Sequence, residues 1–227
     1  MSDNNQFLRP IRSFVKREGK LTKGQKNALE KAWPSLGVDL DDEQLDLASL
    51  FGREAPVVLE IGFGNGASLA EMAAASPETN FFGIEVHRPG VGSLLVHVLH
   101  QGLENVRVSA DDAVQVLNQQ IPDQSLDRVQ IFFPDPWHKK RHHKRRLIQP
   151  EFVNMLCDKL KKGGVIHAAT DWENYAEHIL EVLEGCSMIE NTVDGYAPKP
   201  DYRPGTKYEA RGKRLGHGVW DLVFKKI

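Results

Sequence analysis

From Pro56 to the C-terminus, short apolar runs alternate with amphipathic segments, and this alternation restricts what the chain can fold into. Val57–Ile61 is an apolar run ending in glycine-rich sequence, and Ala67–Ala75 reads as a helix. Further strands are predicted at 80–85, 105–109, 126–133, 164–169 and 218–224, with helices at 112–119 and 150–160. Val91, Leu94, Leu95, Val98 and Leu99 stand at the i, i+3, i+4, i+7, i+8 spacing of a helix with one buried face. Phe152, Val153, Leu156 and Leu160 share one side of the 150–160 helix, and Trp172, Tyr175, Ala176, Ile179, Leu180 and Leu183 mark a long amphipathic helix. Alternation at these lengths gives an α/β fold, a mostly parallel sheet covered by helices on both faces. Such sheets take ligands beyond the carboxyl ends of their strands, where the strand order reverses. The segments that follow each strand are therefore where chemistry is to be sought.

Upstream, the pattern changes. Residues 1–21 read as a basic arm, and Thr22 with Gln25 can form a capping box for a short helix running to about Trp33. The expected division is arm and short helix over 1–50 and one α/β domain over 51–227, a length sufficient for a sizeable core. The net charge of −2 conceals segregation: seven Lys/Arg stand against one Glu between Arg9 and Lys26, an acidic stretch holds Asp39, Asp41, Asp42, Glu43 and Asp46, and a basic run holds Lys139, Lys140, Arg141, Lys144, Arg145 and Arg146. Concentrated basic segments can hold a polyanion whatever the net charge, because local potential governs. The apolar stretches are too short to span a bilayer, and the N-terminus lacks the apolar core of a secretory signal. Cys157 and Cys186, the two cysteines, lie far apart in sequence without CxxC or CxxH neighbours. That argues against a disulfide framework and structural zinc, and suits a reducing cytoplasm. No metal is expected; the sequence does not specify an oligomeric state, and a monomer is favoured.

The loop after the first strand reads Glu60-Ile61-Gly62-Phe63-Gly64-Asn65-Gly66. Its glycines permit a tight turn and close approach of a ligand to the backbone. Glu85, ending the second strand, can accept hydrogen bonds from ribose hydroxyls, and Asp112, after the third, is placed to bond an adenine amino group. The glycine pattern alone leaves a dinucleotide open, since Gly62-x-Gly64-x-x-Ala67 matches that fingerprint formally. Glu60 favours S-adenosylmethionine: a carboxylate beside the loop repels a pyrophosphate and welcomes a cationic amino acid carrying a sulfonium.

After the fourth strand comes Phe132-Phe133-Pro134-Asp135-Pro136-Trp137, followed by the basic run. The prolines stiffen the strand tip that carries Asp135. Trp137 offers a flat face for base stacking, worth ~1–3 kcal/mol, and the basic run can hold phosphates. These segments, with Ala169-Thr170-Asp171-Trp172 and the stretch from Thr206 to Gly212, closely resemble those of the bacterial tRNA (guanine-N7)-methyltransferase family, over the chain from about Val57 to its end. Tyr208 departs from that family's commoner Phe but keeps an aromatic face. The resemblance implies a Rossmann-like class I methyltransferase domain whose sheet has seven strands and an antiparallel C-terminal strand, with S-adenosyl-L-methionine as cofactor and tRNA as partner. It implies cofactor contacts at Glu60, Gly62, Gly64, Gly66, Glu85, Asp112 and Asp135. Substrate contacts are implied at Lys139, Asp171, Thr206, Lys207, Tyr208 and Glu209, and RNA contacts at Arg141, His142, His143, Lys144, Arg145 and Arg146. The implied target is N7 of a guanine, by resemblance the tRNA variable-loop guanosine at position forty-six.

N7 of guanine is a bare acceptor, so it can attack a sulfonium methyl without a general base. Alignment is the main requirement. Positive charge moves onto the purine, and Asp135 is the residue expected to stabilise it. Asp171 and Glu209 are placed to read the guanine N1 and N2 donors. Three other readings remain at this level: an amino-group methyltransferase, since Pro134-Asp135-Pro136-Trp137 resembles Asn/Asp-Pro-Pro-aromatic motifs; an NAD-dependent oxidoreductase, for which no Tyr-x-x-x-Lys pair is present; and a non-catalytic RNA-binding module.

Overall fold

The computed structural model describes residues 13–14, 19–205, Glu209 and 218–227. Its elements run α1 Lys23–Leu36, β1 Gly37–Val38, α2 Leu47–Phe51, β2 Val57–Ile61, α3 Ala67–Ala75, β3 Asn80–Ile84, α4 Arg88–Gln101, β4 Val106–Ser109, α5 Ala113–Gln119 and β5 Leu126–Phe132, then a 3-10 helix Lys140–Arg145, α6 Pro150–Lys159, β6 Leu160–Thr170, α7 Glu173–Glu184, β7 Ile189–Asn191 and β8 Trp220–Lys226. One sheet holds the strands in the order β1-β4-β3-β2-β5-β6-β8-β7. β8 runs antiparallel to β6 and β7, and the other pairings are parallel. Described strands number eight rather than seven, the two-residue β1 adding an edge beside β4.

The central strands β2 and β3 are buried at every residue, as apolar runs covered on both faces must be. On one face, Leu29 of α1, Leu69 and Met72 of α3, and Leu94, Leu95 and Val98 of α4 pack with Val58, Phe81 and Val106. On the other, Val116 and Leu117 of α5, Phe152 and Leu156 of α6, and Tyr175, Ile179 and Leu183 of α7 pack with Leu59, Phe82, Val129 and Ile166. Each such side chain contributes about 1.5–3 kcal/mol of burial. The α4 stripe is narrower than its spacing suggests, because Leu99 is 39% exposed. Leu160 does not end α6 but opens β6.

The capping box forms: the Gln25 amide donates to Thr22 Oγ1 at 3.2 Å and the Thr22 amide to Gln25 Oε1 at 2.8 Å. α1 continues past Pro34 to Leu36, longer than expected. It lies along α4, where Gln25 Nε2 donates to the Pro89 carbonyl at 3.1 Å. Cys157 and Cys186, distant in sequence, meet in the core with sulfurs 3.8 Å apart as free thiols, and burial pushes Cys157 up to about 12.

The chain moves from β2 outward through β3 to β4, then returns to lay β5 on the other side of β2. The strand order therefore reverses between β2 and β5, which places the ligand crevice at their carboxyl ends.

Candidate active site

A cavity of about 580 Å³ opens at that crevice, within the range of small-molecule sites. Four strand ends line it: Glu60 to Asn65 after β2, Ile84 to Val86 after β3, Asp111 to Ala113 after β4, and Phe132 to Asp135 after β5. The β2 loop turns through positive φ at Gly62 (76°), Gly64 (62°) and Gly66 (73°), which favours glycine at each. A Cβ on Gly62 or Gly64 would meet nothing within 4 Å, so this stretch of backbone leaves open space above it. Gly90 of α4 makes the arrangement possible, since a Cβ there would stand 2.1 Å from the Gly64 carbonyl oxygen. The spacing of the motif contains no hint of Gly90.

Glu60 is 2% exposed and accepts from Gln130 Nε2 at 3.2 Å. Burial pushes its carboxyl up to about 7, against the pull of the Gln130 hydrogen bond and the Arg128 charge. Glu85 accepts from the Gly64 amide at 2.9 Å and the His87 amide at 2.8 Å, so it braces the glycine loop as well as facing the cavity. Burial raises its pKa, partly offset by those two amides. Asp112 caps α5, its Oδ1 accepting from the Val114 amide at 3.0 Å. Asp111 lines the same wall, a position the sequence does not mark because Asp112 beside it is an equal candidate at the same strand end.

The β5 tip is strained. Phe133 (φ 53°) and Trp137 (φ 44°) both adopt the left-handed region and bracket Pro134, Asp135 and Pro136. Such conformations in bulky residues cost about 1–3 kcal/mol each and gather where function demands them. Asp135 stands at the cavity mouth. The Trp137 indole donates to the Ser13 carbonyl at 3.0 Å, and the Arg145 guanidinium lies 3.9 Å from its ring centroid. The face expected to stack on a base is thus covered by an arginine in this structure.

A family model described as "Putative methyltransferase" matches residues 54–222. The tRNA (guanine-N(7)-)-methyltransferase of Aeromonas hydrophila subsp. hydrophila is 60% identical, the match covering 100% of this chain and 96% of the relative. That of Idiomarina loihiensis is 62% identical over 97% of this chain and 91% of its own. This chain belongs to the tRNA (guanine-N7)-methyltransferase family. Its fold is also that of the 16S rRNA methyltransferase KamB, whose crystal structure matches at TM-score 0.60 and 14% identity, covering 81% of this chain and 94% of that one. An rRNA methylase from Streptococcus thermophilus matches at TM-score 0.53 and 14% identity, over 92% and 99%.

Within this family member, several expected site residues sit differently from their reading in sequence. Gly66 does not line the cavity; it precedes α3, where a Cβ would stand 2.5 Å from Leu94. Arg146 is 3% exposed and turned inward, donating from Nε to the Pro136 carbonyl at 3.0 Å and from its terminal nitrogens to Asn174 at 2.8 and 3.4 Å. It braces the Asp135 loop from behind rather than facing RNA. Glu209 is 4% exposed and holds Arg203 at 2.8 Å instead of standing open to a base. Lys139, Arg141 and Lys144 are exposed, His142, His143 and Arg145 less so, around the 3-10 helix. Asp171 is partly exposed just beyond β6, and neither it nor Lys139 lines the cavity. Thr206, Lys207 and Tyr208 lie outside the described residues.

Proposed function

We propose that this chain transfers the methyl group of S-adenosylmethionine to N7 of a guanine in tRNA, at the variable-loop guanosine expected from the family resemblance. The observation that carries the reading is the ring of carboxylates at successive strand ends, Glu60, Glu85, Asp111 or Asp112, and Asp135, around one cavity beside an exposed basic helix. The relatives matched over nearly their full length are named tRNA (guanine-N(7)-)-methyltransferase, which supports the N7 of a tRNA guanine as the target.

The residues present fit the cofactor. Glu60 is buried at the loop, where a cationic amino acid moiety would restore its ionised form. Glu85 has oxygens left with lone pairs for ribose hydroxyls after its two amide bonds. Asp112 lines the cavity, where it would hold the adenine amino group, and the glycine loop leaves room along the backbone. The bound sulfonium supplies an electrophilic methyl. The protein's own part is to hold the guanine in line with it and to place Asp135 beside a purine that becomes cationic. Lys139, Arg141 and Lys144 would hold tRNA phosphates, with affinity that falls as salt rises. We assign 51–227 as the methyltransferase domain and 1–50 as arm and helix. A tRNA substrate places the protein in the cytoplasm; no helix among the described residues is long and apolar enough to cross a membrane.

Bulk tRNA incubated with the protein and methyl-labelled cofactor, then digested to nucleosides, tests the reading. Label in 7-methylguanosine is expected. Label in an amino-methylated nucleoside would overturn it.

A further inference from the structure

A row of buried polar groups crosses the sheet where an apolar core would be expected. Glu60, Gln130 and His167 are register partners on β2, β5 and β6, and all three are buried. In-register neighbours on adjacent strands stand on one face of the sheet, here the face that α3 covers. Glu60 lines the cavity and Gln130 does not, so the Gln130 amide reaches the site through Glu60.

Both ends of the Gln130 amide are engaged. Nε2 donates to Glu60 Oε2 at 3.2 Å and to Met72 Sδ of α3 at 3.3 Å, while Oε1 accepts from Arg128 Nε at 3.1 Å. Arg128 thereby decides which end of the amide faces the carboxylate. Turned over, the amide would set its oxygen against Glu60 and its NH2 against a guanidinium. Arg128 is held in turn: its guanidinium lies 3.9 Å from the Tyr202 ring centroid, and the Tyr202 hydroxyl lies 3.0 Å from His167 Nδ1. His167 Nε2 ends the row 2.8 Å from Asp221 Oδ1.

Glu85 is braced by two backbone amides, whereas Glu60 has the Gln130 side chain as its hydrogen-bond donor among the described residues. An amide in the core of a sheet is costly unless its hydrogen bonds are made, and a β-branched aliphatic residue would suit a central strand better. What the amide adds is direction. It fixes one oxygen of the Glu60 carboxylate from within the core and leaves the other for a ligand. A buried carboxylate at a cavity wall favours a cationic partner there. We propose that Gln130 is a positioning residue for the cofactor: oriented by Arg128, it holds Glu60 Oε2 so that the remaining oxygen is presented to the ammonium of the cofactor's amino acid moiety. The inference rests on the methyltransferase reading given above.

Two ligands separate this role from a merely structural one. S-adenosylhomocysteine carries the amino acid moiety, and methylthioadenosine has the same adenosine and thioether without it. Calorimetry on Gln130→Met, which keeps the length and removes the amide, should show S-adenosylhomocysteine weakened by about tenfold, the scale of one hydrogen bond at a charged group. Methylthioadenosine should stay within about twofold of wild type, because it has no group for Glu60 to hold. In a Glu60→Gln background, Gln130→Met should add less than about twofold, since the two residues act as one unit. Gln130→Asn keeps an amide but is one methylene too short to span Glu60 and Arg128, and should show the same ligand contrast at smaller size. Should Gln130→Met not fold, Gln130→Asn decides. Equal losses for both ligands, no loss for either, or an undiminished loss in Glu60→Gln overturns the proposal. Failure of both variants to fold does so too, because Gln130 would then hold the domain and not one carboxylate. Wild-type protein that binds neither ligand sinks the functional reading itself, whereas wild type that binds S-adenosylhomocysteine, with indifferent variants, sinks only this inference.

Discussion

At the residue scale, Asp135 separates charge from shape. It stands at the cavity mouth between two aromatics held at positive φ, so its backbone position is set by strain that the surrounding loop contains. Asp135→Asn keeps the size and one acceptor but lacks the negative charge that we propose faces a purine turning cationic. An interaction that strengthens only in the transition state appears as lost turnover, with little change in tRNA affinity. Turnover should fall about a hundredfold at saturating cofactor, the scale of one preorganised electrostatic interaction. Near wild-type turnover would reduce Asp135 to a structural residue. The acid itself is legible in sequence as a strand-tip residue between prolines. The positive φ of Phe133 and Trp137 is not, because the left-handed region is marked in sequence by glycine and asparagine, not by aromatics.

At the element scale, β2 and α3 keep the boundaries their sequence suggests, since an apolar run and a helix preceded by glycine are local signals. β1 and β7, two and three residues long, are not legible as strands, because so few residues carry no alternation. The 3-10 helix is hidden for a related reason: a run of cations has no apolar period, so nothing says which side chain of the basic run turns inward. Arg146 does. Replacing Lys139, Arg141 and Lys144 together with Ala should weaken tRNA binding and make its salt dependence shallower, by roughly 0.7–0.9 in log–log slope for each phosphate no longer held. A slope equal to wild type would show that these three cations hold no phosphate. Arg146→Ala should instead lower folding stability by about 1–3 kcal/mol in urea titration, because it strips a donor from the Pro136 carbonyl and from Asn174. The packing of α4 on the glycine loop is equally local. Gly90→Ala drives a methyl against the Gly64 carbonyl and should weaken cofactor binding by about tenfold or more in calorimetry, whereas tight binding by that variant would mean the loop has room to move.

For the whole molecule, the buried row through Glu60 and His167 makes stability a function of pH with opposite slopes at its two ends. Glu60 is raised from its ordinary 4.5 to about 7, first by burial. The folded state therefore prefers the protonated acid. Its contribution to stability is complete below the unfolded pKa of 4.5 and is lost as pH climbs through about 7, a loss of roughly 3 kcal/mol once ionisation is complete. His167 works the other way: burial lowers its pKa, so its contribution is present above the ordinary 6.5 and fades as pH falls. Urea unfolding between about pH 5 and 8 should show Glu60's contribution falling as pH rises toward about 7 and levelling above it, and Glu60→Gln, which keeps a neutral group of the same size, should flatten that fall. A cation seated at Glu60 reverses the preference. On the proposed placement of S-adenosylmethionine, its ammonium would stabilise the ionised carboxylate, so the ligand's stabilising effect on unfolding should grow as pH rises toward about 7 in wild type and stay level in Glu60→Gln. A fall of the same size in Glu60→Gln would assign the titration to another group. A ligand effect indifferent to pH in wild type would place the cationic end of the cofactor away from Glu60.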